Sequence, residues 1–176
     1  ISIFLIFLLW GAFTGSRLLP GFLHAPGPFI GEGSFVYTSE APDGRRDDGT
    51  VSVRVHPAGE VVTIPQVEMG EGFAKDDALV VQAYRSELLR VEDNDDVTRD
   101  DGAKIVAING EPIAPESGSV SVGWGSVSMT SKGTLSVAPS KGWQMEKIWL
   151  PAPEDVWARL AEIANTGFRN STLAEH

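Results

Sequence analysis

The sequence contains no cysteine among its 176 residues. That absence excludes disulfides, thiolate catalysis, and zinc or iron–sulfur sites with cysteine ligands. Basic residues are also scarce, since 14 Lys and Arg stand against 24 Asp and Glu, and the formal net charge is −10. Phosphate recognition needs a basic patch, and only Arg45 and Arg46 stand side by side. The composition therefore argues against a nucleic-acid partner.

Signatures of catalysis and of metal binding are missing as well. The three histidines, His24, His56 and His176, form no pair at metal-ligand spacing. Ser126 follows a glycine, but the closing glycine of a nucleophile elbow is absent, and no glycine-rich stretch leads into the Gly-Lys-Ser/Thr of a phosphate loop. We therefore predict no catalytic, cofactor-binding or metal-binding residue and expect a protein that is not an enzyme.

One acidic run, EDNDDVTRDD over Glu92–Asp101, suggests a calcium loop. An EF-hand would need an oxygen ligand, a glycine and a glutamate where Val97, Thr98 and Lys104 stand, so that motif fails. The run is interpreted as a solvated acidic loop.

The N-terminus, in contrast, is the most hydrophobic segment of the chain. Ile1 to Trp10 reads ISIFLIFLLW, the first charge is Arg17, and Pro20 ends any helix. A transmembrane helix is predicted over residues 1–19, with Arg17 reaching back toward the interface. A secretory signal peptide and a buried core helix are the alternatives. The predicted membrane-anchor residues are Ile3, Phe4, Leu5, Ile6, Phe7, Leu8, Leu9, Trp10 and Phe13.

A Pro/Gly-rich segment, residues 20–34, follows the hydrophobic stretch. Aromatic residues and histidine are typical of a chain that leaves a membrane interface. We predict an interfacial linker here, with interfacial positions at Arg17, Phe22, His24 and Phe29.

Residues 35–168 are predicted to form a β-rich domain outside the membrane. The alternating run at 51–55 and the run at 60–64 predict one hairpin, and Asn109-Gly110 between two apolar runs predicts another. Residues 78–92 fit both a helix and a strand, and we prefer the helix. An amphipathic helix begins near Pro153 and stops at Asn165 and Gly167, before a polar tail at 169–176.

The predicted fold is thus mainly β, with one N-terminal transmembrane helix, a β-sandwich or small-barrel domain, and a C-terminal amphipathic helix. This layout resembles the single-helix H subunit of purple-bacterial photosynthetic reaction centres. The resemblance implies a non-catalytic accessory or scaffold subunit of a photosynthetic or respiratory complex in the bacterial inner (cytoplasmic) membrane. It further implies a β-rich domain on the cytoplasmic side, with other integral membrane subunits and lipid as partners. The alternatives are a membrane-anchored periplasmic module that binds a peptide or lipid and, third, a serine hydrolase using His56.

Overall fold

The computed structural model describes residues 2–166, which divide into two compact units. The β unit is Phe29–Ser140, and the helical unit comprises the described residues before Phe29 and after Ser140. The predicted stop at Gly167 and the predicted polar tail at 169–176 lie outside the described residues.

The β unit is built from two sheets. Its strands are β1 (Gly31–Glu40), β2 (Arg46–His56), β3 (Asp77–Gln82), β4 (Glu87–Leu89), β5 (Lys104–Ile108), β6 (Glu111–Pro112), β7 (Ser119–Val122), β8 (Gly125–Met129) and β9 (Leu135–Pro139). One sheet has the order β3-β2-β1-β5-β6 and the other the order β4-β9-β8-β7. Neighbouring strands are antiparallel except for β2 and β3, which run parallel.

Both sheets contribute to one hydrophobic core. Val51, Val53 and Val55 of β2 are buried while the residues between them point outward, because successive side chains of a strand alternate between its faces. Val127 of β8 and Val137 of β9 belong to the same buried cluster. The prediction of a mainly β protein is therefore confirmed.

Two local predictions for the β unit are wrong. Residues 60–64 form no strand, and Val61 is 98% exposed, because the edge of β2 is occupied by β3. The segment 78–92 is not a helix, since it forms β3, then β4, then a 3₁₀ turn at Val91–Asp93. Tyr84 with φ +66° interrupts it, and pairing with β2 fixes its first half as a strand. The Asn109-Gly110 turn does join β5 to β6 as an antiparallel hairpin.

The helical unit contains α1 (Ser2–Thr14) and α2 (Pro153–Thr166), with a 3₁₀ turn at Gly21–Leu23. Within residues 2–166, no helix is long and apolar enough to cross a membrane. The 13 residues of α1 extend about 20 Å, against a hydrocarbon core of about 30 Å. This finding contradicts the predicted transmembrane helix over 1–19 and the single-pass inner-membrane localisation that rested on it.

The physical reason that α1 ends early is a glycine at its C-terminus. Gly15 has φ +61°, and the Ser16 N–H donates to the Gly11 carbonyl at 2.9 Å. That six-to-one bond around a left-handed glycine is a Schellman motif, which terminates a helix. The helix therefore ends at Thr14, six residues before Pro20, which was expected to end it.

The C-terminal half of α1 packs within its own unit. The Trp10 indole Nε1 donates to the Pro151 carbonyl at 2.9 Å, and the Ala25 N–H donates to the Ala12 carbonyl at 3.0 Å. Gly11, Ala12 and Thr14 are buried. The N-terminal half stays exposed, as Ile3 and Phe4 show with 73% of each residue accessible.

Candidate functional site

The β unit carries a cleft made of two adjoining concavities, with volumes of about 270 and 360 Å³. Both are lined by Glu92, Arg99, Ile105 and Gly133, and we call the whole the Glu92–Arg99 cleft. Ligand sites in proteins are concave and combine an apolar lining with a few polar groups. The arrangement here, at about the size of a small molecule, fits that description.

Glu92 is held in the cleft by the 3₁₀ turn that follows β4. Its neighbour Val91 is fully buried in the core, which draws Glu92 below the surface, where it is only 8% exposed. Burial raises the pKa of Glu92 to about 7, and the Arg99 charge opposes that rise. A carboxyl group with such a pKa exchanges its proton near neutral pH, as functional carboxyl groups often do.

Arg99 reaches the cleft from the loop between that 3₁₀ turn and β5. The loop is closed by Thr98, whose N–H and hydroxyl donate to Asp101 Oδ2 at 3.0 and 2.8 Å. Gly133, in the turn between β8 and β9, leaves room for the guanidinium, because a Cβ placed there would lie 2.6 Å from Arg99 Nη1. The cleft therefore holds Arg99 between two turns of the chain.

Four cations line the cleft, and none of them is neutralised by an ion pair. In the described part of the chain, no carboxylate oxygen lies within 4.0 Å of the charged nitrogens of Arg90, Arg99, Lys104 or Lys132. The cleft thus holds 4 of the 14 cations of the chain but, in Glu92, Asp93, Asp100 and Glu116, only 4 of its 24 acids. In a protein with a net charge of −10, the cleft is therefore locally rich in cations, and these cations form no ion pair within residues 2–166.

A second acidic cluster lies at the other end of the same loop and has a structural role. Asp95 Oδ1 accepts from the Tyr37 hydroxyl at 2.8 Å and from the Lys75 N–H at 2.7 Å. Asp47 accepts from the Ala74 N–H at 2.9 Å. These carboxylates hold the segment before β3 in place. Among residues 2–166, no group of three or more His, Asp or Glu side chains is arranged to hold a metal ion.

Comparison of the chain with protein families, with curated proteins and with solved structures found no match.

The residues predicted at a membrane interface do not come together in one site. Arg17 lies 3.7 Å from Glu154 and 3.6 Å from Asp155, and His24 Nε2 lies 2.9 Å from the Ser16 carbonyl. Phe22 is 84% exposed. Phe29 belongs to the β unit, where its ring packs against Trp124 with centroids 6.0 Å apart.

His56, the histidine of the hydrolase alternative, ends β2. Its Nδ1 lies 2.9 Å from the Pro57 carbonyl. No serine hydroxyl within the described range is hydrogen-bonded to its ring.

Large apolar side chains cover much of the helical unit. We define its apolar surface by ten of those exposed on α1, on the segment before α2 and on α2: Ile3, Phe4, Leu5, Ile6, Phe7, Leu9, Trp143, Ile148, Trp149 and Trp157. The tryptophans are 65–77% exposed. Leu8 and Trp10, also predicted as anchor residues, are half-buried, and Phe13 is 37% exposed.

Sequence reasoning missed both Glu92 and Arg99. They stand in the run that was interpreted as a solvated acidic loop, yet Glu92 and Asp95 are buried there. The available signal was Arg99 itself, the single cation within EDNDDVTRDD.

Proposed function

We propose that this protein is a non-catalytic accessory subunit that binds a protein partner through the apolar surface of its helical unit. One observation carries the proposal, the exposure of Trp143, Trp149 and Trp157 beside an uncharged helix. Apolar exposure on this scale is unusual for a free monomer and typical of an interaction site. Tryptophan is also the residue most enriched among interface residues that dominate binding energy.

The magnitude of this exposure supports a stable complex. Burying three tryptophans removes roughly 300–500 Å² from water. At about 25 cal/mol per Å², that contributes on the order of 10 kcal/mol before the cost of association is subtracted. The side chains of α1 add to this area, and so the apolar surface has enough binding energy to hold a partner.

Charge favours a protein partner over a lipid surface. Helices that lie on membranes combine one apolar face with a polar face rich in Lys and Arg. The α1 helix carries no acidic or basic residue, and every side chain from Ile3 to Phe7 in its N-terminal half is apolar and exposed. The chain has a net charge of −10, which disfavours anionic lipid. Apolar helices of a partner subunit match this surface better.

The proposal is tested by purifying the tagged full chain from its source cells under mild extraction and measuring the mass and stoichiometry of what co-purifies. The wild-type chain should elute in a larger assembly with one partner at fixed stoichiometry. The variant I148S/W149S/W157S should elute alone, because it loses three exposed anchors while its core is untouched.

The matched control is V61S/I64S, which removes two exposed apolar side chains, 98% and 67% accessible, from the β unit. It should co-purify like the wild type. A wild-type chain that elutes alone, or a triple variant that keeps its partner, would contradict the proposal. If the purified chain floats with phosphatidylcholine vesicles and only the triple variant fails to do so, the partner of the apolar surface is lipid and not a protein.

A further inference from the structure

The Glu92–Arg99 cleft has a lining of two kinds. Ala103, Ile105 and Met129 give the smaller concavity an apolar wall. Arg99 and Lys104 bring unpaired positive charge to the same concavity. A ligand that fits both the apolar wall and the cations has an anionic head and a short apolar body. A guanidinium binds planar anions through two parallel N–H donors, which matches the geometry of a carboxylate.

We propose that the Glu92–Arg99 cleft binds an aliphatic carboxylate, with the Arg99 guanidinium on the carboxylate head and the wall of Ala103, Ile105 and Met129 against the alkyl chain. The inference rests on the β unit alone and does not depend on the partner proposed for the helical unit. The carboxylate can belong to a free short-chain acid or to the C-terminal residue of a peptide, since both present the same group.

Glu92 makes this binding depend on protons. Its ionised carboxylate would repel the ligand, whereas its protonated form donates a hydrogen bond to the ligand's carboxylate oxygen. The charged groups around Glu92 come from five segments. The segment from β4 through the 3₁₀ turn carries Arg90 and Asp93, and the loop before β5 carries Asp95, Arg99 and Asp100. β5 carries Lys104, the turn before β7 carries Glu116, and the turn before β9 carries Lys132.

A divalent phosphate fits this site less well. Its second negative charge would face Glu92 and Glu116 in the smaller concavity, and its oxygens would leave the apolar wall of that concavity uncovered. A monovalent carboxylate needs only one proton on Glu92 and covers the wall with its alkyl chain. The cleft therefore fits a carboxylate better than a phosphate.

The test is a calorimetric titration of the full chain with sodium hexanoate in buffers free of carboxylates. The wild-type chain should bind hexanoate saturably at pH 6. It should bind about tenfold more weakly at pH 8, because Glu92 is then protonated in only about a tenth of the molecules. The variant E92Q should bind at pH 8 as the wild type does at pH 6, since its amide donates a hydrogen bond at every pH.

Variants of Arg99 and a control at Arg54 distinguish specific binding at the cleft from a general effect of lost positive charge. R99Q should lose at least tenfold in affinity at both pH values, and R99K should lose part of it, because a lysine keeps the charge but not the two parallel donors. R54Q, which removes an exposed arginine of β2 paired with Glu32, should bind like the wild type. Thermal melts of each variant establish that it is folded.

A second titration distinguishes a free short-chain acid from a peptide C-terminus as the natural ligand. It uses a pentapeptide ending in leucine, once as the free acid and once as the amide. Tighter binding of the free-acid peptide than of hexanoate assigns the site to a peptide C-terminus, and the reverse assigns it to a small acid. No saturable binding of either probe, or equal losses in R99Q and R54Q, would overturn the proposal.

Discussion

The Ser16 hydroxyl donates a 2.6 Å hydrogen bond to Glu154 Oε2, joining the turn after α1 to the first turn of α2. The other oxygen, Oε1, accepts from the Arg17 N–H at 2.7 Å. Glu154 thus connects two segments of the helical unit that are 138 residues apart in sequence. The Ser16 hydroxyl is the main cause that lowers the pKa of Glu154 to about 2.

We predict that Glu154→Gln destabilises the helical unit by roughly 1–2 kcal/mol, since hydrogen bonds to a charged group contribute more than neutral ones. Urea unfolding followed by tryptophan fluorescence measures the change. Asp155→Asn is the matched control, because Asp155 makes only exposed ion pairs, to Arg17 and Lys147, and should cost under about 1 kcal/mol. Equal losses in both variants would show that Glu154 contributes no more than its exposed neighbour.

The hydrogen bonds of Glu154 also predict that the stability of the helical unit depends on pH. A carboxylate whose folded pKa is below its unfolded value of 4.5 stabilises the fold above that value, and the contribution is lost as pH falls toward 2. The stability difference between the wild type and Glu154→Gln should therefore shrink from pH 6 to pH 3. A difference that stays constant over this range would contradict the assignment.

Local sequence patterns correctly predicted the strands whose structure does not depend on distant parts of the chain. The alternation at Val51–Val55 placed β2, and Asn109-Gly110 placed the hairpin of β5 and β6. Residues 78–92 were mistaken for a helix because Val81, Tyr84 and Leu88 also have helical spacing. What decides their structure is the parallel pairing of β3 with β2, a contact between distant segments that no local window contains.

The sequence did contain the signal that ends α1, but the hydrophobic run around it favoured the prediction of a longer helix. Thr14-Gly15-Ser16 contains the glycine that ends the helix, while the apolar run and Pro20 suggested a longer one. The cleft could not be predicted in the same way. Glu92 is buried beside Val91, which enters the core, and it lines one cleft together with the turn before β9. Neither fact follows from the residues near Glu92 in the sequence.

The β unit is expected to become less stable as pH rises, which is the opposite of the pH dependence that Glu154 gives the helical unit. Burial raises the pKa of Glu92 and of Asp77 to about 7, so the folded state holds more protons than the unfolded chain between about pH 4 and 7. Stability should fall as pH rises through that window, and the melting temperature should be lower at pH 8 than at pH 6. Differential scanning fluorimetry across this range measures it.

Two variants locate the source of that dependence. Glu92→Gln and Asp77→Asn should each raise the melting temperature at pH 8 and flatten its change between pH 6 and pH 8. Glu111→Gln, at an exposed position at the start of β6, removes one charge elsewhere and should leave the slope as in the wild type. A slope unchanged by both buried variants would rule out Glu92 and Asp77 as its cause.

Tyr37→Phe should destabilise the β unit by about 1–3 kcal/mol, because it leaves Asp95, only 6% exposed, without the hydroxyl donor at 2.8 Å. Thr38→Val is the control on the same strand, where an exposed hydroxyl donates to Asp48 at 2.6 Å. It should cost well under the loss in Tyr37→Phe when both are measured by urea unfolding.

Gly133→Ala tests whether the turn before β9 places Arg99. Gly133 has φ +74°, so an alanine there is strained by roughly 1–2 kcal/mol, and its Cβ would meet the guanidinium at 2.6 Å. Gly59→Ala is matched to it, because Gly59 has φ +84° but nothing within 4 Å of the added Cβ. Both variants should lose similar stability in thermal melts, yet only Gly133→Ala should weaken hexanoate binding at pH 6, since only there is Arg99 displaced. Equal hexanoate affinities in the two variants would mean that Arg99 reaches its position without the space that Gly133 leaves.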